Sequence, residues 1–242
     1  MEKRDRNVLY GFPLKPPFFQ IVIKSYLYGD DVLSLARAAD AASKKYDVDV
    51  IFTSPLIELR RVAEATERIF VFAPHMDVIV PGRGVADILP ESLVAAGAKG
   101  VVLNHSEKPI SLSVLAQTMR RADEVGLATI VFADTAAESA AVAQLGPNII
   151  VTEQTGLIGT GQTSDMEYVL AAIRAVKAVN PAIYVLQGAG ISCGEDVYRV
   201  IRAGAEATGA SSGITKAKDR AAMVDEMIGA VRRAWDDRAA IR

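Results

Sequence analysis

Three side chains of different chemistry follow apolar runs of the sequence. Lys24 ends the first run, His105 follows the fourth and Glu153 directly follows the sixth. A cation, an imidazole and a carboxylate together form a set suited to acid–base chemistry. Each also has a structural interpretation, as a solvated strand end, a hydrogen-bonded histidine and a paired or protonated carboxylate. Glu153 favours function most, because a carboxylate at the mouth of a buried strand needs a partner, solvent or a proton.

Three glycine- and serine-rich segments follow the last three runs. They span residues 154–161, Gly188-Ala189-Gly190 and Ser211-Ser212-Gly213. Backbone N–H groups in such loops, with the helix that follows, form an anion site whose usual ligand is phosphate. An alternative interpretation is a nucleotide-binding fingerprint completed by Gly194, but its spacing is one residue too long and it lies seven strands into the chain.

The composition excludes several classes of protein. The 242 residues include 27 basic and 29 acidic side chains, two histidines and one cysteine. A net charge of −2 provides no basic surface for nucleic acid or an anionic membrane. One cysteine forms no internal disulfide or cysteine-based zinc site, and no carboxylate cluster predicts a metal. Without a secretory signal or a spanning segment, the chain is predicted to be cytoplasmic.

Short apolar runs alternate with alanine-rich segments of helical period along the whole chain. Uniformly apolar runs are typical of parallel strands covered on both faces. Eight β/α units favour an α/β fold of the (β/α)8 barrel type, with an open doubly wound sheet as the competitor. We expect an N-terminal tail over residues 1–17 and one catalytic domain over residues 18–242. The predicted strands are Phe19–Ile23, Val48–Thr53, Phe70–Ala73, Gly100–Leu103, Thr129–Phe132, Ile149–Thr152, Ile183–Leu186 and Ala207–Ser211.

Four motifs in this order resemble the triosephosphate isomerase family, in its short archaeal form. They are NHSE at 104–107, GLIGTG at 156–161, GAGIS at 188–192 and SGITKAKD at 212–219. The similarity extends from about Phe19 to Ala222. It implies a (β/α)8 barrel that interconverts dihydroxyacetone phosphate and glyceraldehyde 3-phosphate in glycolysis without a cofactor or a metal.

The resemblance also implies roles for individual residues. Glu153 corresponds to the general base, His105 to a neutral imidazole that polarises the carbonyl oxygen, and Lys24 to a cation that Glu107 holds in place. A helix N-terminus just after His105 is expected to lower the pKa of the imidazole. Residues 154–164 resemble a lid over the substrate. The residues expected to bind the phosphate are Gly159, Gly188, Gly190, Ser211 and Ser212.

Three positions depart from the family pattern. Val22 replaces an asparagine that touches substrate in the family, and Gln154-Thr155-Gly156 replaces a proline-led lid hinge, which predicts a looser hinge. Val85-Ala86 replaces a Thr-Gly pair that reaches into the neighbouring subunit. We therefore keep two alternatives, an isomerase of a four-carbon ketose phosphate such as L-erythrulose 1-phosphate, and a non-catalytic phosphosugar-binding protein. The family implies a homodimer or homotetramer.

Overall fold

The computed structural model describes residues 8–9, 12–157, 165–188 and 190–240. A short antiparallel hairpin of β1 and β2 precedes eight parallel strands, β3 to β10, that form a closed barrel. The strands are β1 (Val8–Leu9), β2 (Phe12–Pro13), β3 (Phe18–Val22), β4 (Asp49–Thr53), β5 (Phe70–Ala73), β6 (Gly100–Leu103), β7 (Ala128–Ala133), β8 (Ile149–Thr152), β9 (Tyr184–Gln187) and β10 (Ala207–Ala210).

Helices lie between the barrel strands and around their outer side. They are α1 (Asp30–Tyr46), α2 (Leu59–Ala65), α3 (Pro90–Ala95), α4 (Leu112–Val125), α5 (Ala136–Ala143), α6 (Met166–Val179), α7 (Gly194–Ala203), α8 (Ser212–Thr215) and α9 (Arg220–Ala239). Two 3-10 turns, Leu56–Glu58 and Thr155–Leu157, complete the described elements.

Closure of the sheet confirms the barrel and excludes the open doubly wound alternative. β10 pairs with β9 on one side and with β3 on the other, and all neighbours run parallel. The bounds of several strands differ by one residue from the prediction; β3, for example, begins at Phe18 and ends at Val22. Lys24 therefore lies beyond the strand rather than at its end.

Two layers of apolar side chains hold the barrel. The larger layer lies between strands and helices, and the smaller one fills the barrel interior with large buried side chains such as Phe18, Phe72 and Leu186. Leu14 is fully buried in that interior cluster, and the hydroxyl of Tyr184 donates to its carbonyl oxygen over 3.3 Å. The backbone N–H of Lys15 donates to Asp49 Oδ2 over 2.9 Å. The segment before β3 thus closes the N-terminal end of the barrel.

The opposite end of the barrel interior is polar. Gln20 on β3 donates from Nε2 to Thr53 Oγ1 over 3.1 Å, and Gln187 on β9 donates from Nε2 to the carbonyl oxygen of Thr152 over 3.1 Å. Thr208 donates to the carbonyl oxygen of Gln187 over 2.8 Å. All these side chains are buried and hydrogen-bonded, so they form a rigid polar floor beneath the loops at the C-terminal ends of the strands.

Gly100→Ala is expected to destabilise the barrel. A Cβ at residue 100 would lie 2.2 Å from Phe72 Cε1 and 2.7 Å from the carbonyl oxygen of Ala128, so the strands on both sides must shift. Overpacking of this kind typically costs about 1–3 kcal/mol of unfolding free energy. Urea unfolding measures the change. Gly156→Ala is the control, because a Cβ there meets nothing within 4 Å; equal losses in the two variants contradict the prediction.

Candidate active site

A cavity of about 310 Å³ opens at the C-terminal end of the barrel. The structure brings together most of the residues singled out in the sequence, because the loops after β3, β6, β8, β9 and β10 meet there. The predicted site residues that line it are Lys24, His105, Glu153, Gly188, Gly190, Ser211 and Ser212. Glu107 lies outside this lining and contacts Lys24. Gly159 and most of the expected lid lie outside the described residues.

Lys24 is held in place by backbone geometry and by an ion pair. Its φ of 51° is a left-handed conformation that non-glycine residues rarely adopt. Its Nζ donates to Glu107 Oε1 over 2.8 Å, and the Lys24 side chain is only 14% exposed whereas that of Glu107 is 60% exposed. The hydrogen bond from Lys24 lowers the pKa of the Glu107 carboxyl, which keeps the pair ionised. The ammonium group is therefore fixed at the wall of the cavity.

His105 lies on a turn that Asn104 stabilises. Asn104 has a φ of 55°, its Nδ2 donates to the carbonyl oxygen of Phe132 over 3.0 Å, and its Oδ1 accepts from the N–H of Ile110 over 3.1 Å. The imidazole ring packs against the ring of Phe132, with centroids 4.6 Å apart. The N–H of Glu107 donates to His105 Nδ1 over 3.1 Å. Because Nδ1 accepts a hydrogen bond, the neutral imidazole carries its proton on Nε2.

Burial and the charge of Lys24 lower the pKa of His105 to about 4, against a smaller opposing effect of Glu107. The sequence-based explanation for this shift is wrong in its cause. No helix begins directly after His105 in the described chain; a turn follows, and α4 begins at Leu112. The imidazole is neutral near pH 7 because it is poorly solvated and lies beside a cation.

Glu153 follows β8 directly, and its N–H donates to the carbonyl oxygen of Ala133 over 3.0 Å. Its half-buried side chain packs against Gly188 on the neighbouring strand end. A Cβ at residue 188 would lie 3.0 Å from Glu153 Oε1 and 3.2 Å from Val151 Cγ1. Gly188 therefore leaves space for the carboxylate, a role that its glycine-rich motif did not reveal.

Two residues that the sequence interpretation missed support the segment after Glu153. Asp134 directly follows β7, and its Oδ1 accepts from the N–H of Thr155 over 2.8 Å. The hydroxyl of Tyr168 on α6 donates to the carbonyl oxygen of Asp134, while burial raises the pKa of Tyr168 to about 12. The start of the expected hinge is thus anchored at Thr155 by a carboxylate. The position of Asp134 at a strand end was the available signal.

The loops after β9 and β10 line the cavity between the strand end that carries Glu153 and the one that precedes Lys24. Gly190 has a φ of 71°, a conformation that favours glycine, and Ser192 donates from both N and Oγ to Asp196 Oδ2, over 3.0 Å and 2.7 Å. Ser211 Oγ is buried and has no hydrogen-bond partner among the described residues. A buried hydroxyl without a partner is costly unless a ligand or water satisfies it.

Within the described ranges, no group of three or more His, Cys, Asp or Glu side chains is placed to hold a metal ion. Among those same residues, no helix is both long and apolar enough to cross a bilayer.

Comparison with known proteins supplies the family context. The family model described as triosephosphate isomerase matches residues 20–227. The chain is 34% identical over 220 residues to triosephosphate isomerase of Sulfolobus acidocaldarius, covering 89% of this chain and 95% of the relative. It is 36% identical over 203 residues to the enzyme of Methanothermus fervidus, covering 83% and 91%. It is 36% identical over 215 residues to the enzyme of Methanocaldococcus jannaschii, covering 86% and 98%.

The pKa of about 4 for His105 predicts a neutral imidazole at pH 6, with the proton on Nε2. Nitrogen-15 NMR of the histidine rings measures both properties, and His75→Gln assigns the signals because the chain has only two histidines. Lys24→Met should raise the pKa of His105, since it removes a nearby positive charge. Protonation of His105 at pH 6, or a proton on Nδ1, contradicts the prediction.

Proposed function

Because the chain belongs to the triosephosphate isomerase family, we propose that it interconverts dihydroxyacetone phosphate and glyceraldehyde 3-phosphate at the cavity that holds Lys24, His105 and Glu153. It is an aldose–ketose isomerase, which moves a proton between adjacent carbons and needs no change in oxidation state overall. One observation carries the assignment: a fixed ammonium, a neutral imidazole and a carboxylate line the same cavity. The carboxylate corresponds to a base, the imidazole to a hydrogen-bond donor and the ammonium to a stabilising charge.

The proposed mechanism starts with Glu153. Its carboxylate removes a proton from the carbon next to the carbonyl group, and the electron pair of the broken C–H bond forms the enediolate. His105 donates a hydrogen bond from Nε2 to the oxygen that becomes negative, and Lys24 stabilises that charge. The hydroxyl proton moves from the second oxygen to the former carbonyl oxygen, and return of the first proton to the neighbouring carbon completes the isomerisation. A neutral imidazole suits this role because its single N–H, on Nε2, can donate a hydrogen bond to the oxygen of the enediolate.

The loops after β9 and β10 support phosphate binding. Backbone N–H groups around Gly190, together with Ser211 and Ser212, are the proposed ligands for the phosphate oxygens, and the partnerless hydroxyl of Ser211 supports this assignment. Gly159 is proposed as a further donor from the lid. Closure of a lid would exclude water and strengthen the electrostatic interactions inside the cavity.

The comparisons favour this substrate over a four-carbon ketose phosphate, because the three relatives named above are triosephosphate isomerases. A purely non-catalytic phosphosugar-binding protein would not require a carboxylate, a neutral imidazole and a cation in one cavity. A place in glycolysis and a cytoplasmic location accompany the proposed function.

We propose that the protein is a homo-oligomer built from dimers. Val85 is 93% exposed, and Ala86 beside it has a φ of 68°, the conformation expected where the family has glycine. A second cavity of about 340 Å³ lies beside the Lys24–Glu107 pair and includes the apolar side chains of Val22, Pro55, Leu56, Pro74 and Val102 in its lining. In a symmetric dimer each copy supplies one loop and one cavity, so the loop carrying Val85 would support Lys24 and His105 of the other copy.

Glu153→Gln is expected to lower kcat at least about 10²-fold, because the loss of a general base typically costs 10²- to 10⁴-fold. The KM for dihydroxyacetone phosphate should change little. Coupled-enzyme assays in both directions measure the rates. Glu64→Gln is the control, since Glu64 is an exposed residue of α2 outside the cavity. Absence of isomerase activity in the unmodified protein, with either triose phosphate as substrate, would falsify the proposed function.

Val85→Asp is expected to shift the protein towards the 25.8 kDa monomer and to reduce activity, because placing a charged side chain against the apolar part of the second cavity carries a desolvation cost. Light scattering coupled to size-exclusion chromatography measures the mass. Leu170→Asp, on the outer face of α6, is the control. A monomeric wild-type protein, or a Val85→Asp variant with unchanged mass, excludes this interface.

A further inference from the structure

A second lysine lines the active-site cavity. Lys216 follows α8 and lies on the side of the cavity formed by Ser211 and Ser212. Its Nζ lies 5.2 Å from the centroid of the Tyr26 ring, and Tyr26 also lines the cavity. This places an ammonium group next to the loop proposed to bind phosphate.

The charges around the cavity distinguish Lys216 from Lys24. Besides His105, the acidic and basic side chains among the described residues that line the cavity are those of Lys24, Lys216 and Glu153. Lys24 is paired with Glu107. Lys216 has no carboxylate partner within the described part of the chain. Of the two lysines that line the cavity, Lys216 is therefore the one without a neighbouring carboxylate among the described residues.

The contact with Tyr26 explains how the ammonium can be positioned without losing its charge. A cation over an aromatic face is attracted by the ring quadrupole. A carboxylate in the same place would hold the ammonium more tightly but would also cancel its field at the cavity. An aromatic partner leaves the charge available to an incoming anion.

We propose that Lys216, positioned by Tyr26, binds the phosphate group of the substrate at the rim of the cavity and guides it to the loop of Ser211 and Ser212. The inference rests on the proposed function, because it concerns the phosphate end of that substrate. A phosphate monoester carries a charge of about −1.5 to −2 at pH 7, so an unpaired cation at the rim attracts it over several ångströms. Lys216 does not reach the reacting carbons in this assignment.

An ordinary solvated lysine is the competing explanation, since most lysines are exposed and mobile. Lys218 provides an internal comparison. It is also exposed, lies two residues further along the chain and is not part of the cavity lining. Replacing either lysine removes the same charge from the protein, so a difference between the two variants reports the position of the charge.

The test compares Lys216→Met, Lys216→Arg and Lys218→Met in the full chain. Lys216→Met is expected to raise the KM for dihydroxyacetone phosphate and the inhibition constant of inorganic phosphate by about three- to tenfold, with kcat nearly unchanged. Lys216→Arg should retain most of the affinity, because guanidinium keeps the charge and stacks on an aromatic ring. Thermal unfolding checks that all three variants fold.

Salt dependence gives a second readout that a packing role would not change. At an ionic strength of 0.15 M exposed charges are screened beyond about 8 Å, so kcat/KM of the wild type should fall as salt is added. The slope should be shallower for Lys216→Met and unchanged for Lys218→Met. Equal KM values, inhibition constants and salt slopes in the two methionine variants overturn the inference.

The proposed function and this inference fail in different ways. If the wild type catalyses no isomerisation, equilibrium binding of inorganic phosphate still tests Lys216, and weaker binding only in Lys216→Met supports its phosphate role. If the wild type is an active isomerase and Lys216→Met matches Lys218→Met in every readout, the function stands and the role of Lys216 is excluded.

Discussion

Pairing of β10 with β3 is the constraint on which the site depends. The register places Ala207 opposite Phe18 and Ala210 opposite Ile21, which joins the last strand of the barrel to the first. Gly209 allows this seam, because a Cβ there would lie 2.6 Å from the carbonyl oxygen of Gln20. Without closure, the loop after β10 would lie at one edge of an open sheet and Lys24 at a different strand end. Closure brings Lys24 and the proposed phosphate-binding loop of Ser211 and Ser212 to one cavity.

Within that cavity, the state of His105 depends on its burial and on the Lys24–Glu107 pair. Burial and the ammonium of Lys24 lower the pKa of His105 and so keep the imidazole neutral, while Glu107 holds the ammonium and partly offsets its effect on the imidazole. The N–H of Glu107 also selects the tautomer by donating to Nδ1. A short turn after β6 therefore sets the position of the cation and both the charge and the proton position of the imidazole. This explains why the NHSE segment acts as a unit rather than as separate residues.

The sequence was most informative where a local rule determines the structure. Buried runs predicted all eight barrel strands to within about a residue, and the rule that function lies at the C-terminal strand ends led to Lys24, His105 and Glu153. The sequence alone could not show contacts between segments that are distant along the chain. The space that Gly188 leaves for Glu153 depends on two neighbouring strand ends, and the anchoring of Thr155 by Asp134 depends on the loop after β7. Periodicity also could not establish closure, because both candidate folds share the same β/α alternation.

The resemblance to the family implies an asparagine at the position of Val22, and the neighbouring side chains on the same strand show what the valine changes. Val22 presents no hydrogen-bonding side chain to the cavity, whereas Gln20, two residues earlier on β3, lines the same cavity from below. Side chains two residues apart share a face of a strand and lie about 6.6 Å apart along it. The amide of Gln20 is thus set deeper, and its Nε2 is already engaged by Thr53. In the proposed mechanism, donation to the sugar oxygens therefore falls to Lys24 and His105, and the electrostatic state of this pair would determine both how the carbonyl is recognised and how its charge is stabilised.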